Sequence, residues 1–533
     1  MRPMKMRNAF LKTRLLLAAM VAVASLAATA HAAAPGITGT GTAGTFNLTA
    51  QPAYLTQPDG QSIYSWGYGC STAPAANNYA PAAITTGFCS TMQVPGPTLI
   101  VTEGQTVTVN LANSLPPSAG NTSILFPGFQ VATSGGIAGL LTQEAAPGSS
   151  VMYTFVASTP GTHSYYSGTQ GDLQVEMGLY GAIIVLPTAV PSSCSSGLAA
   201  SNLAAESHWG EKDFRLATAA YDHAKTCYDR EYLFQFSEID PRIHSLAQAQ
   251  VTSAGNCTAG AVGCSLKVPT EPYHPTYFMI NGRSMPDDMD PNYAYQYPHQ
   301  PYNGNPHLHP GEIVLLRIIG QGRWQHPFHE HANHVRILAR DGNLILSQSD
   351  PTLLAGPALF TTTTTPGVAM DGLFYYTGRG LNWDLYGHNP KSGDAIATLP
   401  CTPDANGYNT GDPTAINYYE WCQDHNKPLQ AAPFGDVANG GPATLPDPNI
   451  LTNGAWYGGS PYLGPDATTR ASGPSGVTPP SGTIANSPGG EAGFAFMWHS
   501  HNEREITTNN AFPGGMMMMM LVDSREFVID ESN

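Results

Sequence analysis

The chain has 533 residues, enough for two to four domains with ample core, and a formal net charge of −16 with only 11% charged residues. An acidic, charge-poor surface disfavours nucleic acid and anionic membranes as partners and tolerates cations. Gly (56) and Pro (45) are abundant, which points to an all-β protein of short strands and many turns, with few helices.

At the N-terminus Arg2, Lys5, Arg7, Lys12 and Arg14 precede the apolar run Leu15 to Ala30, and Ala30-His31-Ala32 offers a small-residue cleavage site. Residues 1–32 therefore read as a secretory signal peptide, so the mature chain is expected in the periplasm or outside the cell. Its removal makes the chain more acidic by five charges. No adjacent arginine pair marks an export route for prefolded protein, no cysteine follows the apolar run, and no later apolar stretch is long enough to span a membrane. Eight cysteines follow in four local couples: Cys70 with Cys89, Cys194 with Cys227, Cys257 with Cys264, and Cys401 with Cys422. In an oxidising compartment an even count reads as disulfides, and sequential pairing is the expectation among 105 connectivities.

From 36 to 190 short β-runs alternate with turn signals, for example Leu99 to Val101 and Thr106 to Leu111 around Glu103-Gly104, the spacing of a Greek-key sandwich. Residues 191–215 are rich in Ser, Ala and Gly and read as a linker. A second β-rich unit, 216–533, includes Tyr232 to Glu238, Tyr277 to Asn281, Ile313 to Ile319, His334 to Ala339 and Leu373 to Tyr376, and resumes from Phe494 to Val522. An insertion rich in Gly, Pro, Asn and Asp interrupts it at about 378–490. Its cysteines and its aromatic residues Trp383, Tyr386, Tyr418, Tyr419 and Trp421 predict a packed excursion, since a structureless loop of that length inside a domain is unusual.

Two motifs in the second unit carry chemistry. His326-Pro-Phe-His329-Glu-His331 and His499-Ser500-His501 are both His-x-His units on predicted strands, where a period of two aims alternate imidazoles at one face. Imidazole suits copper, zinc, iron or nickel, so four histidines point to a metal without naming it. His307-Leu-His309 has similar spacing in a Pro-rich loop and reads as structural, as does the isolated His163.

The order of motifs resembles the multicopper oxidase family, in the arrangement of its small two-domain laccases. Val94-Pro-Gly-Pro97-Thr98, Glu103-Gly104, Asn113 and Gly178-Leu-Tyr-Gly181-Ala-Ile-Ile-Val185 are similar to the first domain of that family. Ile280-Asn-Gly282-Arg283, Gly311-Glu312, His326 to His331, Thr365-Pro-Gly367 and Trp498 to Met520 follow in the order of the second. The resemblance implies cupredoxin-like Greek-key β-sandwich domains, copper as cofactor, oxidoreductase activity, and a possible homotrimeric ring in which one copy's first domain faces the next copy's second.

The departures from the family pattern are as informative. Where the first domain carries its two His-x-His units, this chain has Leu125-Phe-Pro127 and Tyr166-Ser-Gly168. Where the family has His-Cys-His, it has His499-Ser500-His501, and the second type 1 histidine aligns with Glu505. By resemblance His329 would bind type 2 copper and His331, His499 and His501 the type 3 pair, so four of eight cluster ligands remain. A serine hydroxyl cannot supply the soft thiolate of a blue copper site. His326 and Glu505, and the thioethers of Met516, Met518 and Met520, are additional candidate ligands, and Tyr166 is a candidate catalytic residue facing an open coordination position. The expectation is a copper protein with one or two ions on His329, His331, His499 and His501, not an ordinary laccase. The alternatives are a structural zinc on the same histidines and a non-catalytic scaffold in the cell envelope.

Overall fold

The computed structural model describes residues 34–40, 44–82, 89–379, 401–423, 459–463, 484–485, 493–523, 525 and 528–529. The predicted signal segment and most of the insertion, Trp383 and Tyr386 included, lie outside them. Among the described residues no helix is long and apolar enough to cross a membrane.

The first unit is two five-stranded sheets. One runs Gly161–Tyr166, Tyr180–Leu186, Leu99–Thr102, Gly36–Thr38, Tyr79–Ala80; the other runs Ser62–Cys70, Thr45–Thr56, Thr106–Asn113, Ser150–Val156, Ala132–Gly135. Leu99–Thr102 is parallel to both neighbours, and Thr45–Thr56 is parallel to Thr106–Asn113. Parallel neighbours cannot be joined by a tight hairpin, so the chain crosses between sheets at these places. Alternation drives the packing: in Thr106–Asn113, Val107, Val109 and Leu111 are buried while Thr106, Thr108 and Asn110 are not. They meet Trp66, Tyr68, Tyr153, Phe155 and Tyr165 in one core.

The second unit stacks Tyr277–Ile280, Arg230–Ile239, Ile313–Gly320, Ala369–Tyr375, Val335–Arg340 and Asn343–Leu344 against a sheet ordered His307–Leu308, Met517–Asp523, Gly493–Ser500, His326–Glu330, Thr361–Thr364. Phe234, Phe236, Phe328, Phe374 and Trp498 fill the space between them. The insertion returns as Gly459–Leu463, paired to Gly493–Ser500. Its described part, 401–423, is packed: Tyr418, Trp421 and Cys422 are buried, and Tyr408 stacks on Tyr419 at 5.1 Å. All four disulfides join the sequential couples.

The linker reading of 191–215 is incomplete, because Gly197–Trp209 is a helix. Ala199, Ala200, Ala204 and Ala205 supply strong helix formers, and Gly210 closes it in the left-handed conformation. A second helix, Pro241–Ala254, starts at the N-cap Asp240, whose carboxylate accepts from the Arg242 amide, with Pro241 in the first turn. Ile243 and Ala247 from this helix enter the first unit's core, so it straps one sandwich to the other.

The two sandwiches also meet through buried polar contacts. Asp371 accepts from the Thr162 amide (3.1 Å), the Thr162 hydroxyl (2.6 Å) and the Tyr221 hydroxyl (2.5 Å). Nearby, Gln321 Nε2 donates to the Gly181 carbonyl at 3.0 Å, and the Tyr180 hydroxyl donates to Ser237 at 2.8 Å.

Candidate metal centre

His326–Glu330 and Gly493–Ser500 lie side by side and antiparallel, with His329 directly opposite His499. Strand alternation splits the first motif. His326, Phe328 and Glu330 turn into the sandwich, while His329 and His331 turn out of it with His499 and His501. The same split governs the carboxylate between the histidines. Glu330 accepts from Thr362 at 2.9 Å on the inner side, where burial pushes its carboxyl up to about 8.

On the outer face the ligand nitrogens of His329, His331 and His499 all lie within 4.8 Å of one another. His331 Nε2 is 3.2 Å from His499 Nε2. Two nitrogens held about 2.0 Å from one ion at a tetrahedral angle stand about 3.3 Å apart, so this pair fits a single metal. The ring of His501 lies 5.0 Å from that of His329 and 5.5 Å from that of His499, and is exposed.

Neighbouring groups fix the rings. His499 Nδ1 donates to the Ser500 carbonyl at 2.7 Å, which leaves Nε2 as a lone-pair donor. His329 Nδ1 is 2.8 Å from the Thr361 hydroxyl on the next strand. Burial, and then the facing imidazoles of His331, His499 and His501, lower the His329 pKa to about 4. Burial also lowers that of His499. Both rings are neutral near pH 7, the state a metal ligand needs.

The inner face holds something different. His326 is fully buried between two carboxylates: Nδ1 donates to Glu505 and Nε2 to Glu238, each at 2.9 Å. Ser500 Oγ donates to the same Glu505 oxygen at 2.5 Å, and Asn502 donates to the other at 2.9 Å. Glu238 is held further by the amides of Arg323 and Trp324 at 2.7 and 2.9 Å. Although burial opposes the charge, the two carboxylates raise the His326 pKa to about 9, so it is an imidazolium. With both ring nitrogens occupied and Ser500 committed to Glu505, these residues do not fit a blue copper ion.

Met516, Met518 and Met520 are fully buried in the same inner core, among Phe328, Trp498 and Phe496. Directly opposite His499 stands Met517, and opposite Met497 stands Met519. Parity along the methionine run was legible, but which parity meets His499 depends on the register set where the Ser500 amide bonds the Met516 carbonyl at 2.9 Å. Glu238 was also missed, because it comes from a strand 88 residues before His326.

Tyr166 is not brought to the histidines within this chain. It lines a cleft of ≈ 330 Å³ between the sandwiches with Leu125, Gly168, Gln321, Pro366 and Gly367, and none of the four outer histidines lines it. His163 is buried, bonded to the Thr159 carbonyl at 2.9 Å and 4.7 Å from the Phe129 ring. His307 and His309 are likewise internal, bonded to Asp523 at 2.6 Å and Glu211 at 2.7 Å. Glu211, His309 and Glu312 also cluster within 4.8 Å, but Arg230 pairs with both carboxylates, which makes the group an ion network rather than an open site.

Comparison with known proteins finds its sequence matches in part of the chain. Residues 78–190 match the family model described as multicopper oxidase. Two curated relatives are the multicopper oxidase MCE of Talaromyces pinophilus, 37% identical over 98 residues, and laccase 1 of Metarhizium acridum, 38% identical over 98 residues. Each alignment covers 18% of this chain, which thus spans only 15% of either relative. Among solved structures, a multicopper oxidase called mgLAC aligns over 91% of this chain and 87% of its own, with 14% identity and a TM-score of 0.43. The blue copper oxidase of Nitrosomonas europaea aligns over 89% and 85%, with 14% identity and a TM-score of 0.43. The described residues form a mostly β protein of paired sheets. Within it, residues 78–190 are similar to the multicopper oxidases.

Proposed function

We propose that this is an exported copper-binding protein of the multicopper oxidase type, holding one copper ion on His329, His331 and His499 with His501 as a fourth imidazole, and that it is not an ordinary laccase. The observation that carries the reading is the 3.2 Å approach of His331 Nε2 to His499 Nε2 beside a neutral His329. Copper would supply one-electron chemistry at this position, and any oxidoreductase activity would be of altered kind. The chain's own residues hold the ring tautomers through Ser500 and Thr361 and leave one side of the site open toward His501. Two features speak against laccase turnover: a serine in place of the entry thiolate, and Leu125, Pro127, Tyr166 and Gly168 in place of the first-domain histidines. By resemblance, three copies in a ring would bring Leu125 and Tyr166 of one copy over the histidines of the next. Light scattering on the purified protein tests that assembly, and a monomer mass would remove it.

The test of the site is metal content with electron paramagnetic resonance on mature protein grown with added copper. One copper per chain with nitrogen ligation and no blue absorption is expected, and His329→Ala or His499→Ala should abolish it. Zinc at the same stoichiometry would shift the assignment to a structural site, since zinc accepts the same imidazoles. Protein without any metal would overturn the proposal and leave the scaffold reading.

A further inference from the structure

We infer that the outer face is built for cuprous ion, with the Met517 thioether as a fourth donor beside the histidines; this rests on the copper reading above and names the oxidation state that the site prefers. Register places the residues. Thr361 pairs with His329, His329 with His499, and His499 with Met517, so the four form one row across four adjacent strands. Directly paired residues project to the same side, with Cβ atoms about 5 Å apart. The Met517 side chain therefore stands beside His499 on the face that carries His329 and His331. Met497, two residues before His499 on the same strand, and Met519, opposite Met497, share that face by alternation.

Core filling does not account for these three methionines. Met516, Met518 and Met520 belong to the central apolar cluster, whereas Met497, Met517 and Met519 do not. Met517 is nonetheless buried, at 5% exposure, next to a polar imidazole, and Met497 and Met519 are half-buried. A thioether is a poor ligand for cupric or zinc ions and a good one for cuprous ion, so a histidine row ending in methionine selects the soft, reduced state. Cuprous ion also needs no carboxylate to balance it, and Glu330, the nearest carboxylate in sequence, points away into the sandwich.

Anaerobic titration of the full mature protein with cuprous ion against bicinchoninate, and with silver ion as a redox-inert stand-in, tests this. Met517→Leu should weaken cuprous and silver binding by about tenfold or more while the cupric resonance spectrum is kept. Met520→Leu, in the core, should change neither. X-ray absorption on the unmutated cuprous protein needs no variant and should show a sulfur shell together with nitrogen. Nitrogen scattering alone, or unchanged cuprous affinity in Met517→Leu, overturns the inference and leaves the histidine site standing. A protein that binds neither copper state overturns both.

Discussion

The charge on His326 sets how the inner face responds to pH. Its folded pKa of about 9 lies above the ordinary value of 6.5. The stabilisation it brings is therefore fully present below about pH 6.5 and is lost as pH rises through 9, on the order of 3 kcal/mol in all. His326→Gln removes the cation and leaves Glu238 and Glu505 buried together. The stability gap between the wild type and this variant, followed by denaturant melts, should be several kcal/mol at pH 6 and narrow by pH 10. A gap that does not change with pH would mean that His326 is neutral. The two His-x-His units themselves were readable from strand parity alone. The partners of His326 were not, since neither alignment of motifs nor spacing reports that Glu238 reaches the same ring from another strand.

At the level of elements, the helix Pro241–Ala254 was written in the sequence but hidden by the strand-rich composition around it. Asp240, Pro241 and Gly255 are a start and stop signal of the usual kind. Asp240→Ala should cost about 1 kcal/mol for the cap, and more because Asp240 also accepts from the His274 amide at 3.0 Å; thermal melting checks this. The strand carrying His326 and His329, with His331 just past its end, is anchored by Phe328, fully buried against Phe236 at 4.7 Å. Phe328→Ala should destabilise by about 3–5 kcal/mol. It should also weaken metal binding, because the histidines on either side of it lose their fixed spacing; the titration used for Met517→Leu reads both effects.

For the whole molecule, one polar link between the sandwiches is Asp371, which a second-unit strand delivers to Thr162 of the first. Arg317 stands 3.7 Å from it and 2.8 Å from Glu231, so the carboxylate is paired as well as hydrogen-bonded. Asp371→Ala should cost about 3–5 kcal/mol by leaving that arginine less balanced and the Tyr221 hydroxyl without its acceptor. Calorimetry is expected to read this as a lowered melting temperature, since the helix strap and the Gln321 and Tyr180 bonds still join the sandwiches. The sandwich class was legible from turn spacing and alternation. That the first-domain positions Leu125 and Tyr166 open onto a cleft away from the histidines was not, because docking of two domains leaves no periodic trace in either.

The Glu238–His326–Glu505 arrangement also bears on whether a blue copper site could be built here. A thiol alone, as in Ser500→Cys, would be set against a carboxylate and beside an imidazole whose nitrogens are both engaged, and should give no blue colour with copper. A histidine alone, as in Glu505→His, would take away one of the two counter-charges that keep His326 protonated and still provide no sulfur. Neither single change supplies a complete ligand set, and only changes made together could create the site. The interior of this protein thus excludes a blue copper ion at three positions at once, Ser500, Glu505 and the doubly bonded His326.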